Sequence, residues 1–141
     1  MPKNKAELQL DAKLENIPEI VDFVTSWMRG HKLNDIIFAV ETAVDEACAN
    51  IINHAYSGKG GPIHISCEFK RGSLVIAIND KGRPFDPNTV QSPDLEADLD
   101  KRKIGGLGIH IMRKLMDDVS YSFDAKKGNT LVMKKALLIE H

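Results

Sequence analysis

Glu46 and Asn50 stand four residues apart in a stretch of helical periodicity. At about 3.6 residues per turn they project within about 40 degrees of each other, side by side on one face. A carboxylate beside a carboxamide at the margin of an apolar stripe has the chemistry of a general base next to a hard-cation ligand. An exposed polar pair on a helix surface fits the same spacing. Asp80-Lys81-Gly82 directly follows an apolar run. A carboxylate at a strand end can accept hydrogen bonds from the exocyclic amine of a base, and the glycine lets the backbone come close. An ordinary turn has the same composition. Gly105-Gly106-Leu107-Gly108 opens a helical pattern, where backbone N–H groups and the positive end of the helix dipole can receive phosphate oxygens. This cluster follows no strand, as a dinucleotide fingerprint would, and lacks the Gly-Lys-Ser/Thr ending of a P-loop. At Gly128-Asn129-Thr130, the mouth of a late strand, the Thr130 hydroxyl could reach a bound base, or the residues could simply turn a hairpin.

The elements that must position these residues follow from the hydrophobic pattern. Leu8, Leu10, Ala12 and Leu14 alternate with polar residues, which predicts an opening half-buried strand. Asn16 is placed to cap a helix with Pro18 in its first turn; Ile17, Ile20, Val21, Val24 and Met28 recur at helical spacing until Gly30. A longer helix is expected from about Asn34 to Tyr56, with Ile36, Ile37, Val40, Val44, Ala47, Cys48, Ile51 and Ile52 as its stripe. His54 projects into that stripe, where a packed histidine is the simpler expectation. The glycines between Ser57 and Pro62 break the helix. Ile63 to Lys70 and Ser73 to Asn79, joined by Arg71-Gly72, predict an antiparallel hairpin. From Asp80 to Lys103 periodicity is lost, as in a lid or binding loop. A helix through Ile109, Met112, Leu115 and Met116 and two strands, Val119 to Phe123 and Thr130 to Ile139, complete the pattern.

These elements predict an α/β (α+β) two-layer sandwich: a mixed, mostly antiparallel sheet with helices on one face. With 141 residues, 43% of them hydrophobic, the expectation is a single domain over residues 1–141. Nineteen Lys and Arg against 20 Asp and Glu, scattered along the chain, offer no footprint for nucleic acid. Met1 to Leu14 holds no apolar signal region, and no apolar run approaches the roughly 18 residues of a membrane span, so the expected location is cytoplasmic. Cys48 and Cys67 lie far apart within apolar segments, as buried thiols do, rather than at metal-ligand spacing.

Taken together and in this order, the four points resemble the GHKL (Bergerat-fold) superfamily of ATPases and kinases. Glu46-Ala-Cys-Ala-Asn50 looks like its N box, Asp80-Lys81-Gly82 its first glycine box, Gly106-Leu107-Gly108 its second, and Gly128 to Thr130 its last, with the loop before Gly105 as the ATP lid. The stretch Glu41 to Tyr56 and the segment Ile109 to Val119 are similar to the corresponding helices of anti-sigma factor serine/threonine kinases.

The resemblance implies ATP and Mg²⁺ as ligands. Glu46 would be the general base, Asn50 the Mg²⁺ ligand, and Asp80 the acceptor for the adenine amine. Gly82, Gly105, Gly106, Leu107 and Gly108 would shape the pocket and lid, and Thr130 would help hold the base through water. Gly-Asn-Thr stands where Gly-Thr is commoner in the family, which puts the role of Thr130 in question. Arg83, Lys101, Arg102 and Lys103 are available to contact phosphates. The implied reaction is transfer of the γ-phosphoryl group to a serine or threonine of a STAS-domain anti-sigma antagonist. A sigma factor as a second partner and a homodimer, with exposed apolar residues near Trp27 contributing, are also implied. Two other readings stay open from the residues: an ATP-binding regulatory module without transfer, which retained Glu46 disfavours, and a slow ATP hydrolase.

Overall fold

The computed structural model describes residues 5–31, 33, 36–84 and 113–136. Five strands, β1 (Lys5–Asp11), β2 (Pro62–Lys70), β3 (Ser73–Asp80), β4 (Asp118–Asp124) and β5 (Gly128–Ala136), form one sheet in the order β1-β2-β3-β5-β4. Every pairing among them is antiparallel, so the expected mixed sheet is antiparallel throughout the described strands. Two helices, α1 (Ile17–Gly30) and α2 (Ile37–Asn50), supply the second layer. Among the described residues no helix is long and apolar enough to cross a membrane.

Period-two alternation decides which side chains meet the helices. Ile63, Ile65 and Cys67 of β2, Leu74, Ile76 and Ile78 of β3, and Leu131 and Met133 of β5 are buried on one face. They pack with Ile20, Val24 and Met28 of α1 and with Val40, Ala43, Val44, Ala47 and Cys48 of α2 in a single core. Burial in that core pushes both thiols, Cys48 and Cys67, up to about 12, which keeps them protonated and unreactive.

The β2–β3 hairpin turns at Arg71-Gly72, both with positive φ (52° and 79°), the geometry whose twist matches a two-residue connection. Asn16 does precede α1, but a 3₁₀ turn over Leu14–Asn16 leads into the helix and Asn16 already has helical angles. Its amide therefore donates back to the Asp11 carbonyl at 2.8 Å instead of capping α1. Trp27 is half-buried against His31 and Phe69, at ring separations of 4.3 and 4.9 Å. The exposed large apolar side chains among the described residues are instead Leu14, Phe38 and Phe123.

The long predicted helix departs from α geometry at its end. After Asn50 the chain continues as a π-helical segment, Ile51–Ala55, in which the Tyr56 N–H donates five residues back to the Ile51 carbonyl. The wider turn keeps Ile51, Ile52 and Ala55 buried while turning the last carbonyls toward the end of β3.

Where β5 begins, backbone meets backbone. A Cβ on Gly128, whose φ is +88°, would lie 2.2 Å from the Asp80 carbonyl oxygen. Gly128→Ala is therefore expected to destabilise the protein by about 1–3 kcal/mol, combining a strained φ with a clash against rigid backbone. A urea melt reads this directly, and an unchanged midpoint would contradict the close approach.

Candidate functional site

Three chain segments converge beside the end of β3. The π-helical segment contributes the carbonyl of Ala55, which accepts the Arg83 N–H at 2.8 Å. A Cβ on Gly82 would sit 2.6 Å from that same oxygen, so the contact requires glycine. Tyr56 spans the gap: its hydroxyl donates to the Pro62 carbonyl at 2.6 Å and accepts the Lys81 N–H at 2.7 Å. The turn after β3 is thus held on the end of the α2 extension, with the Arg83 guanidinium donating to the His54 carbonyl at 3.3 Å.

Asp80 is 4% exposed at the centre of this arrangement. Its Oδ1 accepts the Gly82 N–H at 2.9 Å and the Asn129 amide at 2.8 Å. Burial raises the carboxyl above its ordinary value, opposed by these two donors and by the Lys81 charge. Lys81 is itself anchored, its ammonium donating to the Lys127 carbonyl.

Glu46 and Asn50 lie one turn apart near the C-terminal end of α2, upstream of Ala55. Glu46 is half-buried, and its carboxyl is raised by burial first and by the neighbouring Asp45 charge second. Asn50 is 5% exposed, yet its Nδ2 finds no partner among the described residues. A buried amide is normally paired. An unpartnered N–H donor of this kind suits an acceptor that arrives with a ligand, such as a phosphate oxygen, and leaves any cation to the side-chain oxygen. Among the described residues no group of three or more His, Cys, Asp or Glu could hold a metal by itself. Asn50 fits Mg²⁺ in the way that ion is usually held, by one or two protein oxygens together with substrate phosphates.

The structure does not bring Thr130 to Asp80. Asp80 pairs with Asn129 and Asn79 with Thr130, so strand alternation sends Asn129 to the Asp80 face and Thr130 to the opposite one. The Thr130 hydroxyl accepts the Asn79 amide there, at 3.1 Å. Asn129, not singled out from sequence, is the residue of this turn that meets Asp80. A signal was available: Leu131 and Met133 are the apolar alternates of this strand, and position 129 shares their face. Gly105, Gly106, Leu107 and Gly108, together with Lys101, Arg102 and Lys103, lie outside the described residues.

Residues 10–135 match the family model of the histidine kinase-like ATPase domain. The chain belongs to that family. A serine/threonine-protein kinase of Bordetella bronchiseptica, BtrW, is 35% identical over 85 residues, 60% of this chain and 60% of its own length. Two serine-protein kinases named RsbW are also similar. That of Bacillus cereus is 31% identical over 136 residues, covering 93% of this chain and 84% of the relative. That of Bacillus anthracis is 33% identical over 105 residues, 72% of this chain and 64% of the relative. The chain thus spans less than two thirds of the Bordetella and B. anthracis relatives and most of the B. cereus one. Within the histidine kinase-like ATPases it falls with the RsbW-type serine-protein kinases, the group that its Glu41 to Tyr56 helix resembles.

The buried carboxylate of this ATPase-type site carries a stability cost with a definite sign. Unfolded chains ionise Asp80 at its ordinary value of 3.8, while the folded chain retains the proton to higher pH. The folded state binds more protons between those two values, so this group's contribution falls as pH rises through the window and stays unfavourable above it. Asp80→Asn keeps an acceptor for Gly82 and Asn129 without the charge. It is expected to melt at or above the wild type at pH 7, with the difference shrinking toward pH 3; a clearly lower melting temperature at pH 7 would contradict this.

Proposed function

We propose that this chain is an ATP-dependent serine/threonine protein kinase of the anti-sigma factor type, acting on a STAS-domain anti-sigma antagonist. The observation that carries the reading is the buried Asp80 carboxylate, whose bonds to the described residues fall on one oxygen, in a chain of the histidine kinase-like ATPase family. Such a carboxylate suits the exocyclic amine of adenine, an amine that guanine lacks at the equivalent ring position. Gly82 and Gly128 keep backbone close around it.

In this reading Glu46 orients the incoming hydroxyl and takes its proton, a task favoured by a carboxyl whose pKa burial has lifted toward the working pH. Asn50 contributes its side-chain oxygen to the cation. Mg²⁺ bound there would offset the negative charge that develops on the phosphates during transfer. Gly105, Gly106, Leu107 and Gly108 supply backbone N–H groups for the phosphate oxygens. Positioning provides most of the catalysis, because phosphoryl transfer asks little covalent chemistry of the protein. A cytoplasmic homodimer that also binds a sigma factor completes the proposal, with partner choice set by the bound nucleotide.

Titration of the purified protein with ATP and Mg²⁺, with GTP as control, tests the ligand. Saturable ATP-selective binding is expected, and no binding at millimolar ATP would remove the reading. Roles are separated by two variants. Glu46→Ala should lower phosphoryl transfer to a STAS-domain serine by about 10²–10⁴-fold while ATP affinity holds. Asp80→Ala should weaken ATP binding itself by about tenfold or more, the worth of a hydrogen bond to a charged group. Equal loss of binding in both would overturn the assignment, and free phosphate without labelled protein would identify a hydrolase instead.

A further inference from the structure

Asn129 is 2% exposed, and both ends of its side chain are engaged. Its Nδ2 donates to Asp80 Oδ1 at 2.8 Å and to the carbonyls of Gly82 at 3.1 Å and Arg83 at 3.2 Å. An amide nitrogen carries two hydrogens, so the two carbonyls share one of them. Its Oδ1 accepts the Tyr121 hydroxyl at 2.6 Å. Tyr121 lies on the same face of β4 as Phe123, the cross-strand partner of Asn129, so the contact is a diagonal one between adjacent strands. The carboxylate and the two carbonyls, which can only accept, fix which way the Asn129 amide points, and the Tyr121 hydroxyl donates to the oxygen end that this leaves facing it. Asn129 then presents N–H groups to the carboxylate and to the backbone that leaves β3.

With Gly82 and Asn129 both donating to Oδ1, the carboxylate cannot rotate without losing two bonds. We propose that Asn129, steadied by Tyr121, is the positioning residue that holds Asp80 for a nucleobase, fixing Oδ1 so that Oδ2 is the acceptor for an exocyclic amine. The inference rests on the ATP-binding reading above and adds to it two residues, Asn129 and Tyr121, that act through Asp80 rather than on the ligand. A threonine at position 129 has one hydroxyl hydrogen and could serve Asp80, but not also the Gly82 and Arg83 carbonyls. The Asn129 donor also favours the ionised form of Asp80, as do the Gly82 N–H and Lys81, while burial opposes it. Among the described residues the Tyr56 hydroxyl also senses the Asp80 charge.

The test is calorimetric titration of two nucleotides, ATP and the triphosphate of purine riboside, which lacks the 6-amine, into wild type, Asn129→Leu, Tyr121→Phe and the double variant. Asn129→Leu should lose about tenfold or more in ATP affinity and little for the purine riboside analogue, because only the former uses the positioned acceptor. Tyr121→Phe should show a smaller loss with the same ligand dependence. The double variant should be no weaker than Asn129→Leu, since Tyr121 acts through Asn129. The decline of ATP affinity on the acid side should move to higher pH in Asn129→Leu, where a donor to the ionised carboxylate is gone.

Equal losses for both nucleotides would mean that Asn129 serves only the fold, and would overturn the proposal. Wild-type binding with Asn129→Leu unchanged would overturn the positioning role alone. Failure of the wild type to bind ATP would overturn the ATP reading and this role with it. Should Asn129→Leu not fold, Tyr121→Phe carries the same two-nucleotide comparison.

Discussion

The carbonyl oxygen of Ala55 receives the Arg83 N–H at 2.8 Å and would lie 2.6 Å from a Cβ on Gly82, and the placement of the site follows from that contact. It sets the end of β3 against the end of the α2 extension at a separation only glycine permits. Helix and sheet are joined here by backbone groups, which cannot be repacked as side chains can. The π-helical turn over Ile51–Ala55 is what directs those carbonyls. A continuous α-helix would spend its later carbonyls differently, and the segment after Asp80 would lose its anchor. Tyr56 reinforces the junction by linking Pro62 and Lys81 through one hydroxyl.

The protein keeps two carboxylates where carboxylates are unfavourable, Asp80 at this junction and Glu46 on α2. Burial raises both Asp80 and Glu46 above their ordinary values. Asp80 is compensated by two N–H donors and a nearby lysine, so it can remain ionised in a confined place. Glu46 has a like charge beside it in Asp45 and, among the described residues, no such compensation. Under the proposed function, the first environment suits a fixed acceptor and the second a group that exchanges a proton. Two carboxylates with separate roles set by their surroundings are a familiar arrangement in catalytic sites. The Asn50 Nδ2, buried and without a partner among the described residues, is a donor that a ligand acceptor could satisfy.

The match to the histidine kinase-like ATPase family runs over residues 10–135 and so takes in Glu46, Asn50, Asp80 and Asn129. The chain departs from the commoner Gly-Thr pattern at Asn129, and the departure is structurally coherent. A longer amide with two hydrogens and an acceptor oxygen ties together β3, β4, β5 and the segment leaving β3. Strength here comes from satisfying every member of a buried network rather than from any single bond.

Sequence by itself determined the layers of this protein. Alternation in Ile63 to Asn79 and the 3.6-residue stripe of α2 follow from burial on one face, a local property of pattern, and they place Glu46, Asn50 and Asp80 on the elements where they are found. The face of Asn129 was legible in the same way, from Leu131 and Met133, once Asp80 is known to lie opposite it. Tertiary structure decided the rest. Whether Asn50 keeps an unpaired amide, whether Ile51–Ala55 widens into a π-turn, and whether Asn16 caps its helix or reaches back to Asp11 all depend on which groups arrive from distant parts of the chain. The strand order that puts β5 between β3 and β4, and so brings Asn129 to Asp80 across 49 positions of sequence, is likewise a property of packing and not of local periodicity.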